Sequence, residues 1–196
     1  MNGRLLGRVL VLAAAVAVPL GAGLAAAPGA EAAAVTTVYY TSSGAPDYLA
    51  QIDQGAANWN AVVTDVKLVK RSSGATVKFH EIHSGGSYTN TNGHGRGDIY
   101  LDTSQVAEGF DPTRIAAHEL GHNLGLPDDY TGPCTELMSG HGPGTACKNA
   151  KPSAAEAAKV QSLWTNGFAA ARTAETRKVA FSPVPGRECS VGLEPD

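Results

Sequence analysis

Apolar positions along this chain follow two different periods, and the switches between them mark out elements. "TTVYYT" at 36–41 is β-branched and aromatic and reads as a first strand. Across 46–63, Leu49, Ile52, Ala56, Trp59 and Val63 recur at spacings of three and four, which predicts an amphipathic helix with Pro46 in its first turn. Residues 66–71 and 75–83 alternate apolar and polar, as half-buried strands do. "SGGSYTNTNGHGRG" at 84–97 is rich in glycine and asparagine and predicts a loop, and "DIYLD" at 98–102 a short strand.

Two further helices carry their own punctuation. Over 111–125, Asp111 stands at the N-cap, Pro112 at the first helical position and Gly125 at the stop, with Ile115, Ala116, Leu120 and Leu124 on the apolar face. Over 153–167, Ser153 and Glu156 form a capping box, and Val160, Leu163 and Trp164 predict a buried stripe. Between them, 127–152 has turn residues and no period; after Gly167 the signal weakens, and 181–196 reads as a loose tail.

The first 32 residues stand apart. Arg4 and Arg8 precede an apolar run from Val9 to Ala26, and Ala30-Glu31-Ala32 fits a cleavage site. This is the pattern of a secretory signal peptide rather than a membrane anchor, so the expected product is extracellular and free of the membrane. The expected organisation is a signal peptide at 1–32, one catalytic domain at 33–167 and a tail of unassigned role at 168–196. Removing 1–32 leaves 13 bases against 17 acids, a net charge of −4 with no basic run, which argues against a nucleic-acid partner. Cys134 and Cys147 flank a Gly/Pro-rich loop and are the natural disulfide pair, whose closure is worth about 3 kcal/mol. Cys189 is left over, either free or paired with another chain.

The candidate chemistry lies in "HELGHNLGLPDDY", residues 118–130. His118 and His122, four apart on a helix, put two imidazoles on one face within reach of one metal. Glu119 projects beside them and can take a proton from metal-bound water. A hydrolytic zinc wants a third protein ligand and an open position. The helix cannot supply that ligand further along, so the chain must turn back, and Gly125 permits the turn. Six residues past His122 comes Asp128.

"HELGHNLGLPD" resembles the metzincin zinc motif H-E-x-x-H-x-x-G-x-x-H with aspartate in the third-ligand place, and "ELMSG" offers Met138 as a Met-turn methionine. With "GHGRGDIYLD", "GLPDDYTGPCTELMSG" and "LWTNG", residues 35–167 resemble the snapalysin family, the small neutral proteases of Streptomyces. The resemblance implies zinc on His118, His122 and Asp128, Glu119 as general base and Asp129 as a bystander. It implies endopeptidase action on protein or peptide substrates, with an aromatic residue preferred on the primed side. It implies an α+β, metzincin-like fold: a mixed twisted sheet with backing helices, an active-site helix, a Met-turn and a C-terminal helix.

Other carry-overs divide between two readings. Tyr130 is placed to assist the reaction or to pack under the loop. Asp111 and Thr113 match positions that look like a calcium site in the family, although Asp111 read by itself is an N-cap. Glu156 could be a third ligand in another zinc class, but the capping box accounts for it. His80 and His83 point to opposite faces of a strand, "RGD" at 96–98 is a chance match, and His94 and His141 lie in glycine loops; His141 reads as an exposed loop histidine or, being close to the Met-turn, as one lining the cleft. The expectation is a secreted monomeric zinc endopeptidase. Set against it are a zinc amidase or aminopeptidase and a non-catalytic zinc module, the last disfavoured by the presence of Glu119.

Overall fold

In the computed structural model, residues 35–165 and 177–181 are described. The expected signal peptide, the residues 166–176, and Cys189 lie outside them. Six strands form one mixed sheet in the order β2-β1-β3-β5-β4-β6. They are β1 (Thr36–Gly44), β2 (Val66–Lys70), β3 (Val77–Ile82), β4 (Ser87–Thr91), β5 (Gly97–Asp102) and β6 (Arg177–Phe181). β1, β2, β3 and β5 run parallel, whereas β4 is antiparallel to β5 and to β6. The helices are α1 (Leu49–Asn60), α2 (Thr103–Ala107), α3 (Pro112–Asn123) and α4 (Ala154–Trp164). The α+β class is therefore as expected.

The inward residues of the strands, Val38, Tyr40, Leu68, Val77, Phe79, Ile99 and Leu101, pack with Ile52, Ala56 and Trp59 of α1 and Ile115 and Leu120 of α3. α1 and α3 approach each other through small residues. A Cβ on Gly55 would lie 3.0 Å from the Ala117 amide nitrogen, and the Trp59 indole N–H donates to the Ala117 carbonyl at 2.8 Å. This close approach sets α3 beside α1, with α1 against β1 and β2 and α3 against β4 and β5, and all ten residues from Arg114 to Asn123 are buried.

Three departures from the sequence reading have physical causes. The predicted loop at 84–97 contains β4, whose alternation is written in hydroxyls: Ser87, Thr89 and Thr91 all point inward and are fully buried. Ser87 accepts from the Asp102 amide, and its own amide donates to Gln105 Oε1. Thr91 donates to Asn123. With those partners, polar side chains replace the apolar signal that marks a half-buried strand. Second, the stretch past Gly167, where the sequence assigns no element, contains β6, which pairs along β4. Third, Leu163 is 38% exposed rather than buried; the inward stripe of α4 is Ala157, Val160 and Trp164. The predicted disulfide between Cys134 and Cys147 is formed, with Cα atoms 5.6 Å apart.

The α1–α3 contact yields a direct test. Gly55→Val forces a branched side chain against the backbone of α3 and is expected to cost about 1–3 kcal/mol by overpacking, read as a lower urea midpoint. An unchanged midpoint would show that the helices can separate at little cost.

Candidate metal centre

α3 carries the two histidines and begins as its sequence predicts, with Asp111 accepting from the Arg114 amide at 2.8 Å and Pro112 in the first turn. It ends on Gly125. The Leu126 amide donates to the Gly121 carbonyl and the Gly125 amide to the His122 carbonyl, the pair of bonds that closes a Schellman turn. Gly125 has φ 104°, and a Cβ there would lie 2.9 Å from Leu163 Cδ1. The turn reverses the chain and brings Asp128 back over the helix.

His118 Nε2 and His122 Nε2 are 3.1 Å apart, with the rings nearly perpendicular at 87°. Asp128 Oδ1 lies 3.1 Å from the first and 3.4 Å from the second. Ligand distances of about 2.0 Å at the tetrahedral angle place two donor atoms about 3.3 Å apart, so these spacings suit a single zinc-sized ion. Each imidazole is held from behind: His118 Nδ1 sits 3.1 Å from the Leu137 carbonyl and His122 Nδ1 2.8 Å from the Leu126 carbonyl. Carbonyls only accept, so Nδ1 carries the proton on both rings, and neutral rings present Nε2 lone pairs to the centre. Asp128 Oδ1 is buried without a well-aligned hydrogen bond. Three acceptor atoms converging in a buried place are what a cation satisfies.

The charges agree with that donor set. Burial pushes the His118 pKa below the ordinary histidine range. Asp128, despite burial that favours its neutral form, is held well below the usual carboxylate range by the two imidazoles. His122 goes the other way: burial lowers it, but Asp128 and the nearby Glu119 outweigh that and raise it.

Glu119 is fully buried on the same helix, and Thr89 of β4 donates to its Oε2 at 2.5 Å. Thr89 was not singled out by the sequence, because it lay in a stretch read as loop.

A profile of the Streptomyces extracellular neutral proteinase (M7) family matches residues 34–167. This chain belongs to that family. The extracellular small neutral protease of Streptomyces sp. (strain C5) is 51% identical over 148 residues, 75% of this chain and 64% of the relative. The protein of the same name from Streptomyces lividans is 50% identical over 141 residues, 71% of this chain and 62% of the relative. That from Streptomyces caespitosus is 48% identical over 132 residues, 67% of this chain and 98% of the relative. The chain thus spans less than two thirds of the length of the first two. Among solved structures, archaemetzincin from Methanopyrus kandleri aligns over 65% of this chain and 94% of its own, at 12% identity and a TM-score of 0.44.

In this M7 chain the segment below the centre is tied down by two residues with more than one role. Glu156 completes the predicted capping box with Ser153, and its carboxylate also accepts from the amides of Leu137 and Met138. Met138 packs under Gly121, where a Cβ would lie 2.5 Å from its sulfur. Arg114 is 2% exposed and donates to the carbonyls of Glu136, Gly140 and Asn149 and to Ser139 Oγ. A single arginine inside a helix gives no sequence sign of this role.

Asp129 is exposed and accepts from Thr131, while its amide donates to the Met138 carbonyl. Register separates it from Asp128. Tyr130 lies over Gly140 close to His118: a Cβ on Gly140 would be 3.2 Å from Tyr130 Cε1 and 3.3 Å from His118 Cε1. His141, expected to be an exposed loop histidine, is half-buried with its ring 4.7 Å from that of Tyr130, and burial lowers its pKa. Asp111 and Thr113 gain no support as a calcium site. Among the described residues, the cluster of three His, Cys, Asp or Glu that could hold a metal is His118, His122 and Asp128. His80 pairs with Asp98 of the "RGD" triplet, and His83 with Thr103, both away from the centre.

Two outcomes follow from this arrangement. Arg114→Met should lower stability by about 3 kcal/mol by stranding buried carbonyls; a thermal midpoint equal to the parent's would contradict the clamp. Zinc affinity, measured by chelator competition, should fall about ten-fold per pH unit once the pH drops below the raised range of His122, because a proton then competes for its nitrogen. Affinity that stays flat there would mean no such proton is displaced.

Proposed function

We propose that this chain is a secreted zinc-dependent metalloendopeptidase. The observation that carries this reading is the convergence of His118 Nε2, His122 Nε2 and Asp128 Oδ1 within 3.1–3.4 Å, with Glu119 beside them on the same helix. Membership of the M7 family and relatives called extracellular small neutral proteases support both the activity and the extracellular location. No helix among the described residues is long and apolar enough to cross a membrane.

His118, His122 and Asp128 would hold zinc and leave one position open. A zinc so held supplies Lewis acidity, bringing the pKa of water towards ~7 and polarising a scissile carbonyl. Glu119 then accepts the proton of the attacking water and returns it to the departing amine. Thr89, donating to Oε2, fixes the carboxylate. The Nδ1–carbonyl bonds hold both imidazoles in the tautomer that ligates. Tyr130, beside His118, is the side chain placed to steady the charge that develops on the substrate oxygen. Because Thr89 lies on β4, the outer edge of that strand is where an extended peptide would bring its bond to Glu119. The preference for an aromatic primed-side residue is taken from the family resemblance.

Casein hydrolysis by the secreted protein tests the reading. Chelator should abolish it and zinc restore it, and Glu119→Gln should lower kcat by at least about 100-fold with zinc content unchanged. Asp128→Ala should lose the metal, whereas Asp129→Ala should keep both metal and activity. Activity surviving chelation or loss of Glu119 would sink the mechanism. Turnover of amino-acid anilides without casein cleavage would move the assignment to an aminopeptidase or amidase.

A further inference from the structure

Residues 177–181 form the one described strand that falls outside the family-matched segment 34–167, yet they pair with β4 and come close to α3. β6 pairs antiparallel with β4 along its whole length, from Thr91 opposite Arg177 to Ser87 opposite Phe181. At the middle of that ladder Val179 stands opposite Thr89, the residue whose hydroxyl holds Glu119. β5 takes the other edge of β4. With β6 in place, therefore, no edge of β4 is left for another strand. β6 also runs close to α3, the helix that carries the histidines and the glutamate. His118, Glu119 and His122 are all fully buried in this arrangement, although a base that works on a polymer must meet its substrate.

The contacts holding β6 are of a kind that can be exchanged. The ladder is backbone pairing, which any extended peptide reproduces. Lys178 is exposed and sits 4.0 Å from the Tyr88 ring centroid, and Val179 is only half-buried. Both of these side chains are less buried than the inward residues of β1, β3 and β5.

We propose that residues 177–181 are an internal occupant of the substrate edge: the chain's own strand fills β4 where an extended peptide would pair, and must unpair before substrate enters. This rests on the reading of β4 as the peptide-binding edge. The affinity for peptide is then reduced by the fraction of molecules in which β6 is released. The tail past the family domain thereby acquires a role, that of a competitive cover.

The test uses the full secreted chain with zinc, in a Glu119→Gln background that binds without cleaving. Lys178→Pro and Val179→Pro are added together. Successive amides of a strand point to opposite sides, so one of the two prolines must remove a donor to β4. Binding of a fluorescent, extended, casein-derived peptide is followed by anisotropy, and amide exchange by mass spectrometry. The released variant is expected to bind the peptide about ten-fold more tightly, with faster exchange over Ser87–Thr91 and unchanged zinc content. Added peptide of sequence RKVAF, the sequence of 177–181, should reverse the gain, and a scrambled peptide should not. Equal affinity in the two proteins despite faster exchange at β4 would overturn the proposal. So would loss of cooperative unfolding in the proline variant, which would make β6 an integral strand of the fold. Tighter binding in the released variant while the protein retaining Glu119 cleaves nothing would uphold the cover and count against the proposed hydrolysis. Casein cleavage with equal binding would count against the cover alone.

Discussion

Three acceptor atoms, two imidazole nitrogens and one carboxylate oxygen, are held within hydrogen-bonding distance of one another in a buried place. Left to themselves they would repel or take up protons; a shared cation turns the same geometry into a bound centre. Much of the surrounding fold serves to keep them there. The Schellman turn at Gly125 returns Asp128 to the helix, and the Leu126 carbonyl exposed by that turn orients His122. The Leu137 carbonyl orients His118, and it is positioned in turn by Glu156, which binds the Leu137 and Met138 amides from α4. A ligand set is only as well placed as the groups behind it, and here those groups come from three separate stretches of chain.

The same constraint explains why α3 is buried on every side. An amphipathic helix would leave one flank to water, but α3 carries His118, His122 and Glu119, all fully buried, and each flank is closed by another element. α1 closes in through Gly55 and Trp59, β4 through Thr89 and Thr91, and the loop below through Arg114 and Met138. Polar groups in such a setting are tolerable because each finds a specific partner. Polar contacts across the interfaces of α3 are therefore as characteristic of this domain as its apolar core.

Legibility in the sequence followed the same division. The parallel strands and the three long helices could be read because burial there is written in apolar letters and caps. β4 could not, since its inward residues are Ser87, Thr89 and Thr91, whose partners are distant in sequence. β6 was missed because a five-residue strand forms by pairing with β4, and pairing leaves no local mark. At the centre, His118 and His122 stood out from their spacing, and Asp128 from Gly125 and a family resemblance. Arg114 and the second role of Glu156 had no signal, because each depends on where loops 127–152 fold back, and the half-burial of His141 had only its closeness to Met138. Gly140 leaves the space that the rings of Tyr130 and His118 share.

The claim on which the account turns is that a carboxylate, rather than a third imidazole or a thiolate, completes the metal site. X-ray absorption at the zinc edge of the purified, zinc-loaded protein reads this directly. The expected spectrum has only nitrogen and oxygen neighbours at about 2.0–2.2 Å and outer-shell scattering from two imidazoles, with one imidazole lost in His122→Ala. Scattering from three imidazoles, or a sulfur neighbour at about 2.3 Å, would contradict it.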